Sequence, residues 1–115
     1  HPDRVMSAPK TVADVLDAAA DRLVEHGWTQ AAYLRADGRC CAKGAIRLAM
    51  GGEIGANFED DKLYVAEASR FEDDVIEAVT SVLDMRLMEW NDKPDRTADE
   101  VIALLREVAA AQRAS

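Results

Sequence analysis

The chain has 115 residues, of which 49% are hydrophobic and 31% are charged, a balance that fits one globular domain and excludes a disordered polymer. Acidic residues outnumber basic ones by 22 to 14, and the formal net charge of -8 disfavours a nucleic-acid partner. No apolar run approaches the ~20 residues that a membrane span needs. We therefore expect a cytoplasmic protein with neither a membrane nor a nucleic-acid partner.

Residues 1–10 are expected to form an irregular leader. The segment from His1 to Val5 looks like the remnant of an expression tag, with Met6 as the native start. On that interpretation, His26 is the only native histidine.

The first helix is predicted to begin after Thr11 and to end at Gly27. Thr11 can cap a free backbone amide, with Asp14 in the capping-box position. Gly27 can adopt the left-handed conformation that often follows a last helical turn. The buried face is marked by apolar residues at helical spacing, namely Val12, Val15, Leu16, Ala19, Leu23 and Val24.

Residues 28–38 fit a short strand, an extended linker or a helical turn. The dipeptide Asp37-Gly38 is a strong turn signal. The sequence therefore leaves open one small β-hairpin around residues 31–42.

A second helix is predicted from about Cys41 to Met50, with Gly44 inside it. A glycine there costs roughly 1 kcal/mol relative to alanine, and close packing against another backbone would offset that cost. Four nearby cations form either a solvated basic face, which is the favoured interpretation, or a docking face for an acidic partner or an anionic ligand, namely Arg35, Arg39, Lys43 and Arg47.

The rest of the chain predicts a loop and two further helices. Residues 53–64 are interpreted as a surface loop. A third helix is expected to begin near Val65, to be established by Phe71, and either to break near Asp84 or to continue through Leu87. The segment 90–94 is interpreted as a connection, because proline discourages helix at the residue before it.

The last helix is expected to begin after Thr97, with Glu100 completing a capping box. Residues 11–113 are thus predicted to form a single all-α, or nearly all-α, domain of about four helices.

The adjacent residues Cys40 and Cys41 are the strongest candidate nucleophiles. Neighbouring cysteines rarely bridge each other, and two free thiols fit a reducing compartment. A position at the start of the second helix would stabilise a thiolate and lower its pKa. A cysteine hydrolase also needs an activating histidine, for which His26 is the candidate. The two cysteines are therefore either small core residues or the reactive groups of a thiol-dependent enzyme or redox sensor.

Neither a metal nor a cofactor is expected. Two adjacent cysteines and one native histidine fall short of the four ligands of a typical zinc site. The glycines match neither of the common phosphate-binding loops.

The aromatic residues Trp28, Tyr33 and Trp90 allow two interpretations. Tryptophans at helix ends can close a core while the indole N–H finds a partner. They are also enriched where proteins bind their partners, and the three residues together could line a ligand pocket.

Five segments together resemble a family of small uncharacterised proteins found mainly in actinobacteria and their phages. The segments are A-D-V-L-D-A-A-A-D-R-L at 13–23, G-W-T-Q at 27–30, C-A-K-G-A-I at 41–46, W-N-D at 90–92 and R-T-A-D-E-V-I-A-L-L at 96–105. The resemblance implies a shared fold and no mechanism, because the family has no established activity. It also implies that six residues belong together: Trp28, Cys41, Gly44, Trp90, Asn91 and Asp92. A tight helix crossing at Gly44, with Asn91 or Asp92 capping free backbone groups, would bring them together.

The sequence favours a non-enzymatic cytoplasmic interaction or regulatory module, since it offers few catalytic groups. Its partner would be another protein or a second copy of the chain, because two-fold dimers are the commonest oligomers. A phage-related role follows from the resemblance alone. Two rival hypotheses are a thiol-dependent enzyme or redox sensor that uses Cys41 and Cys40, and a small-ligand binder with a pocket between Trp28, Tyr33 and Trp90.

Overall fold

The computed structural model describes residues 11–51, 54–57, 62–65 and 70–114. The predicted leader over residues 1–10 lies outside the described residues. The elements follow in the order α1 (Val12–His26), α2 (Ala42–Ala49), β1 (Ile54–Asn57), β2 (Lys62–Val65), α3 (Arg70–Thr80), α4 (Leu87–Asn91) and α5 (Ala98–Ala114).

The predicted fold class, nearly all-α in a single domain, is confirmed. The described residues contain five helices, one more than the approximate number that was predicted. The additional helix is α4, whose last two residues lie in the segment that was predicted to be a connection. A helix of five residues is too short to show helical periodicity in the sequence.

The β-hairpin lies at β1 and β2, not around residues 31–42, so the predicted location was wrong. The two strands pair antiparallel, from Ile54 opposite Val65 to Asn57 opposite Lys62. The prediction of a surface loop is therefore wrong for these residues, as is a helix start near Val65. Strands of four residues carry little pattern, and β1 also contains glycine and asparagine, which have low strand propensity.

The segment that was expected to hold the hairpin forms a tight turn with isolated bridges instead. Gly38 has φ of +101°, and its N–H donates to the carbonyl of Arg35 at 2.9 Å. Cys40 pairs with both Leu34 and Trp28 through single bridges. The Asp37-Gly38 signal thus correctly predicted a turn, but the flanking residues do not extend into strands.

Local capping determines the ends of α1. The Thr11 hydroxyl accepts a hydrogen bond from the Asp14 amide at 3.0 Å, and the Gly27 N–H donates to the Leu23 carbonyl at 3.0 Å. Most of the predicted apolar stripe is buried or half-buried, but Val24 is 62% exposed, so its assignment to the core was wrong. Val24 lies about 100° around the helix from Leu23.

Helices α1 and α5 pack against each other and form much of the core. The core contains Val15, Leu16 and Leu105, all fully buried. Exposed ion pairs cross the same contact, since Arg106 and Arg113 on α5 bind carboxylates on α1. The predicted capping box of α5 is also present. The Thr97 amide donates to Glu100, and the Glu100 amide donates to the Thr97 hydroxyl.

A buried ion pair joins α2 to α3. Arg47 Nε donates to Glu72 Oε1 at 2.9 Å and Arg47 Nη2 donates to Glu72 Oε2 at 3.2 Å, with both side chains almost fully buried. The prediction of a solvated basic face is therefore wrong for Arg47. Arg35 also turns inward, donating to the Thr29 hydroxyl and to the Gln30 carbonyl.

Across the described ranges, no helix is both long enough and apolar enough to cross a membrane.

Candidate functional site

Asn91 is a buried amide that joins three segments of the chain. Its Oδ1 accepts hydrogen bonds from the Trp28 indole at 2.8 Å and from the Ala42 amide at 3.0 Å. Its Nδ2 donates to the Thr29 carbonyl at 3.3 Å and to Asp92 Oδ1 at 2.9 Å. Because Asn91 is fully buried, these bonds fix the segment after α1 and the start of α2 against α4.

Asp92 and Gln30 extend this network at the surface. Asp92 Oδ1 accepts from the amide of Ala31, a residue in the left-handed region with φ of +65°. Gln30 Nε2 donates to the carbonyls of Asn91 and Lys93. By accepting this hydrogen bond, Asp92 stabilises a backbone conformation that alanine rarely adopts.

Gly44 allows the backbone of Tyr33 to lie directly on α2. A Cβ atom at Gly44 would overlap the Tyr33 carbonyl oxygen and stand 2.9 Å from the carbonyl carbon. The Cys41 amide also donates to that oxygen, at 3.4 Å. The expected close approach of a second backbone at Gly44 is thus found in the structure.

The remaining tryptophan, Trp90, lies against Arg96. The guanidinium carbon is 3.7 Å from the centre of the indole ring, and Arg96 Nε donates to the Trp90 carbonyl at 2.9 Å. This contact fixes the segment that connects α4 to α5.

Both cysteines are fully buried. Cys41 caps α2, its sulfur accepting from the Gly44 amide at 3.3 Å and donating to Met88 Sδ at 3.6 Å. Burial raises the pKa of the Cys41 thiol to about 11, and burial also raises the pKa of Cys40 although the nearby Arg22 opposes that shift. The helix N-terminus was expected to lower these pKa values, but desolvation is the larger effect.

His26 lies at another place in the fold. It sits at the end of α1, with Nε2 3.7 Å from Glu25 and its ring against Gly38. The structure therefore places the candidate base at the 35–39 turn and Cys41 at the contact between α2 and α4. Among the described residues, no three side chains of the metal-binding types His, Cys, Asp and Glu are grouped closely enough to hold an ion.

A cavity of about 360 Å³ lies where the Tyr33 segment, α2, α3 and α4 meet. Its lining residues are Tyr33, Lys43, Ile76, Thr80, Arg86, Leu87 and Met88. Of the three aromatic residues predicted to share a pocket, Tyr33 lines this cavity, whereas Trp28 is bound to Asn91 and Trp90 to Arg96.

Two cations face this cavity without a carboxylate partner among the described residues. The Lys43 ammonium stands 5.8 Å from the centre of the Tyr33 ring. Arg86 precedes α4, and its side chain makes no capping bond there. The hydroxyl of Thr80 donates to the Ile76 carbonyl at 2.7 Å, whereas the Tyr33 hydroxyl has no partner in the described part of the chain.

Sequence reasoning missed most of this cavity. It singled out Tyr33 as aromatic and Lys43 as basic, but no motif connects them with Arg86, Leu87 and Met88. Arg86 and Leu87 were treated as the possible end of a long third helix, and Met88 was assigned to no element. A helix break after Thr80, followed by the short α4, brings them back against α2.

A second, more open groove lies between α3 and α5. It has a volume of about 410 Å³ and is lined by Ala78, Ser81, Val82, Leu104, Glu107, Val108, Ala111 and Gln112. Val82 is 60% exposed in it. Val82 falls within the range predicted for the third helix, but α3 ends two residues before it.

Comparison with known proteins places the chain in a family. A model described as a family of unknown function, DUF6197, matches residues 7–111. No curated protein and no solved structure matches the chain. Because the match covers all the described elements except the last turn of α5, the chain belongs to this family of unknown function.

Proposed function

We propose that this protein is a non-enzymatic cytoplasmic regulatory module that binds a small ligand in the cavity between α2, α3 and α4. The observation that carries the proposal is the composition of the cavity lining. It combines hydrogen-bond donors from Tyr33, Lys43 and Arg86 with an apolar wall. A concave apolar site with a few converging polar groups is the usual form of a ligand-binding pocket.

The same lining argues against catalysis at this site. The described residues that line the cavity include no carboxylate, imidazole or thiol group. Cys41 contacts Met88, which lines the cavity, but Cys41 itself is not a lining residue. With its pKa raised to about 11, a thiol behind this wall is a weak nucleophile at neutral pH. These observations support binding over the thiol-dependent enzyme.

The protein partner or homodimer expected from the sequence stays a prediction. Sedimentation of the purified protein over a range of concentrations would test it, because a dimer shows a concentration-dependent mass.

The ligand-binding function can be tested by native mass spectrometry after incubation with a low-molecular-weight metabolite extract. Thr80→Phe should fill the cavity, because Thr80 lines it and ends α3. The matched control is Ser81→Phe, which adds the same ring at the next residue, outside this cavity and exposed. We expect one adduct of unaltered ligand mass on the wild type and on Ser81→Phe, and none on Thr80→Phe.

Three results would contradict the proposal. One is a wild-type protein that takes up no component of the extract. Another is an adduct that persists on a folded Thr80→Phe variant, since the ligand would then lie elsewhere. Release of a chemically altered ligand would show an enzyme. Melting curves of both variants establish that each is folded.

A further inference from the structure

We infer that the ligand of this cavity carries an anionic oxygen group, a carboxylate or a phosphate, attached to a small apolar body. The inference rests on the proposed function and names the ligand class of the same site.

The charges around the cavity carry the first step. The protein has 22 acidic and 14 basic residues, and carboxylates pair with the arginines that join α2 to α3 and α1 to α5, namely Arg47, Arg106 and Arg113. Lys43 and Arg86 line one cavity and have no such partner among the described residues. Lys43 is half-buried and Arg86 is exposed, and an anion bound in the cavity that both residues line is attracted by both charges.

The hydrogen-bonding groups point to the same ligand class. An ammonium offers three donors and no acceptor, and a guanidinium offers five donors and no acceptor. The Tyr33 hydroxyl adds a further donor. A carboxylate or phosphate is an acceptor at every oxygen, so that it satisfies these groups together, and such charge-assisted bonds are stronger than neutral ones.

The apolar residues that line the cavity indicate the chemistry of the ligand beyond its anionic group. Ile76, Leu87 and Met88 present apolar side chains to the cavity, which favours an apolar body next to the anionic group. The volume of about 360 Å³ is close to the lower end of the range of roughly 300–1,000 Å³ for ligand pockets. A small amphipathic metabolite fits that space.

Three probes with matched apolar chains test the inference: hexanoate, hexyl phosphate and the neutral hexanamide. Binding to the whole protein is followed by NMR titration of the backbone amides, which also shows where each probe binds. We expect at least one anion to bind the cavity about tenfold tighter than hexanamide or more. The tighter of the two anions distinguishes a carboxylate from a phosphate ligand.

Charge-removing variants complete the test. Lys43→Met and Arg86→Met should each weaken anion binding about fivefold or more and weaken hexanamide binding by a smaller factor, because a neutral amide loses a hydrogen bond but no charge–charge attraction. Lys93→Met is the matched control, since Lys93 is an exposed cation outside the cavity.

Equal affinity for hexanoate, hexyl phosphate and hexanamide, or anion binding unaffected by the two cavity variants, would overturn the assigned ligand class and leave the binding function standing. If none of the three probes shifts the amide signals of the cavity residues, even at concentrations at which amide shifts elsewhere in the protein have reached their limit, both proposals are contradicted.

Discussion

Asn91 illustrates how much of this fold depends on one side chain that is far in sequence from its partners. Its oxygen and nitrogen together satisfy the Trp28 indole, the Ala42 amide and the Thr29 carbonyl. An unpaired buried polar group costs about 1–3 kcal/mol, whereas the gain from each satisfied bond is smaller. The amide therefore acts chiefly by preventing three separate penalties.

Substitution of this amide should be costly. Asn91→Ala is expected to lower the free energy of unfolding by about 2–4 kcal/mol, because it leaves two donors and one acceptor without partners. Lys93→Ala, two residues along and exposed, should change it by less than about 0.5 kcal/mol. Urea denaturation of the two variants measures both values. Equal losses in both would contradict the role assigned to Asn91.

Residues whose partners are close in sequence were the predictable ones. The caps at Thr11 and Gly27, and the reciprocal pair of Thr97 and Glu100, follow from spacings of three or four residues. The sequence also indicated that Gly44 marks a close approach. It did not show that the approaching backbone is that of Tyr33, because such contacts depend on how the elements pack.

At the scale of elements, the presence of the long helices could be predicted from the sequence, but the places where helices end and the next ones begin could not. Apolar periodicity predicted α1, α2 and α5. The end of the third helix was predicted near Asp84 or Leu87, beyond its observed end at Thr80, and the short α4 was missed. The break after Thr80 has no glycine or proline to mark it. The strands β1 and β2 are four residues each. Such short strands are recognised by their hydrogen-bonded pairing in the structure, because four residues show too little alternation of apolar and polar residues in the sequence.

The buried ion pair of Arg47 with Glu72, which joins α2 to α3, is expected to contribute to stability only while both partners are present. Replacing one member of the buried pair, as in Arg47→Met, should lower the free energy of unfolding by about 3–5 kcal/mol, because a buried carboxylate is left unpaired. The double variant Arg47→Met with Glu72→Met should lose less than Arg47→Met alone, since apolar side chains can replace a buried ion pair at small cost. Denaturant unfolding of the single and double variants gives the coupling between the two residues.

An exposed ion pair provides the control for that cycle. Arg106→Met removes the contacts with Asp17 and Asp21 on α1, where the guanidinium is largely solvated. Its effect should be much smaller than that of Arg47→Met, because water screens exposed pairs. Additive losses in the double variant of Arg47 and Glu72 would show that the two side chains are not coupled.

At the scale of the whole molecule, the two cysteines that suggested chemistry from sequence are buried, and apart from Tyr33 the described residues that line the cavity were not predicted to form a pocket. The cysteines are buried as a cap of α2 and as part of the core. The cavity exists only where α2, α3 and α4 converge on the Tyr33 segment. Its residues are spread along the chain in short or irregular pieces, and no local pattern could have grouped them.

This arrangement makes the accessibility of the two cysteines a property of the whole fold. Cys40 and Cys41 are each 0% exposed, and burial raises the pKa of both thiols, so both the access of a reagent and the formation of a thiolate are disfavoured in the native fold. Alkylation therefore requires the domain to open, and the two sites should be labelled at the same rate. For a domain of ordinary stability, that rate is at least about 10³ times lower than in an unfolded peptide.

The pH dependence separates this prediction from a functional thiol. Labelling through the opened state should rise with the titration of an ordinary thiol, with a midpoint of about 8.5, and it should accelerate when urea destabilises the fold. Ser81→Cys introduces an exposed thiol in the same protein, so it should be labelled at the peptide rate and provides the positive control. Site-resolved mass spectrometry reads all three positions. Rapid labelling of Cys41 alone at pH 6 would instead mean that a thiolate is accessible in the native fold, and the thiol-dependent enzyme would then displace the ligand-binding module.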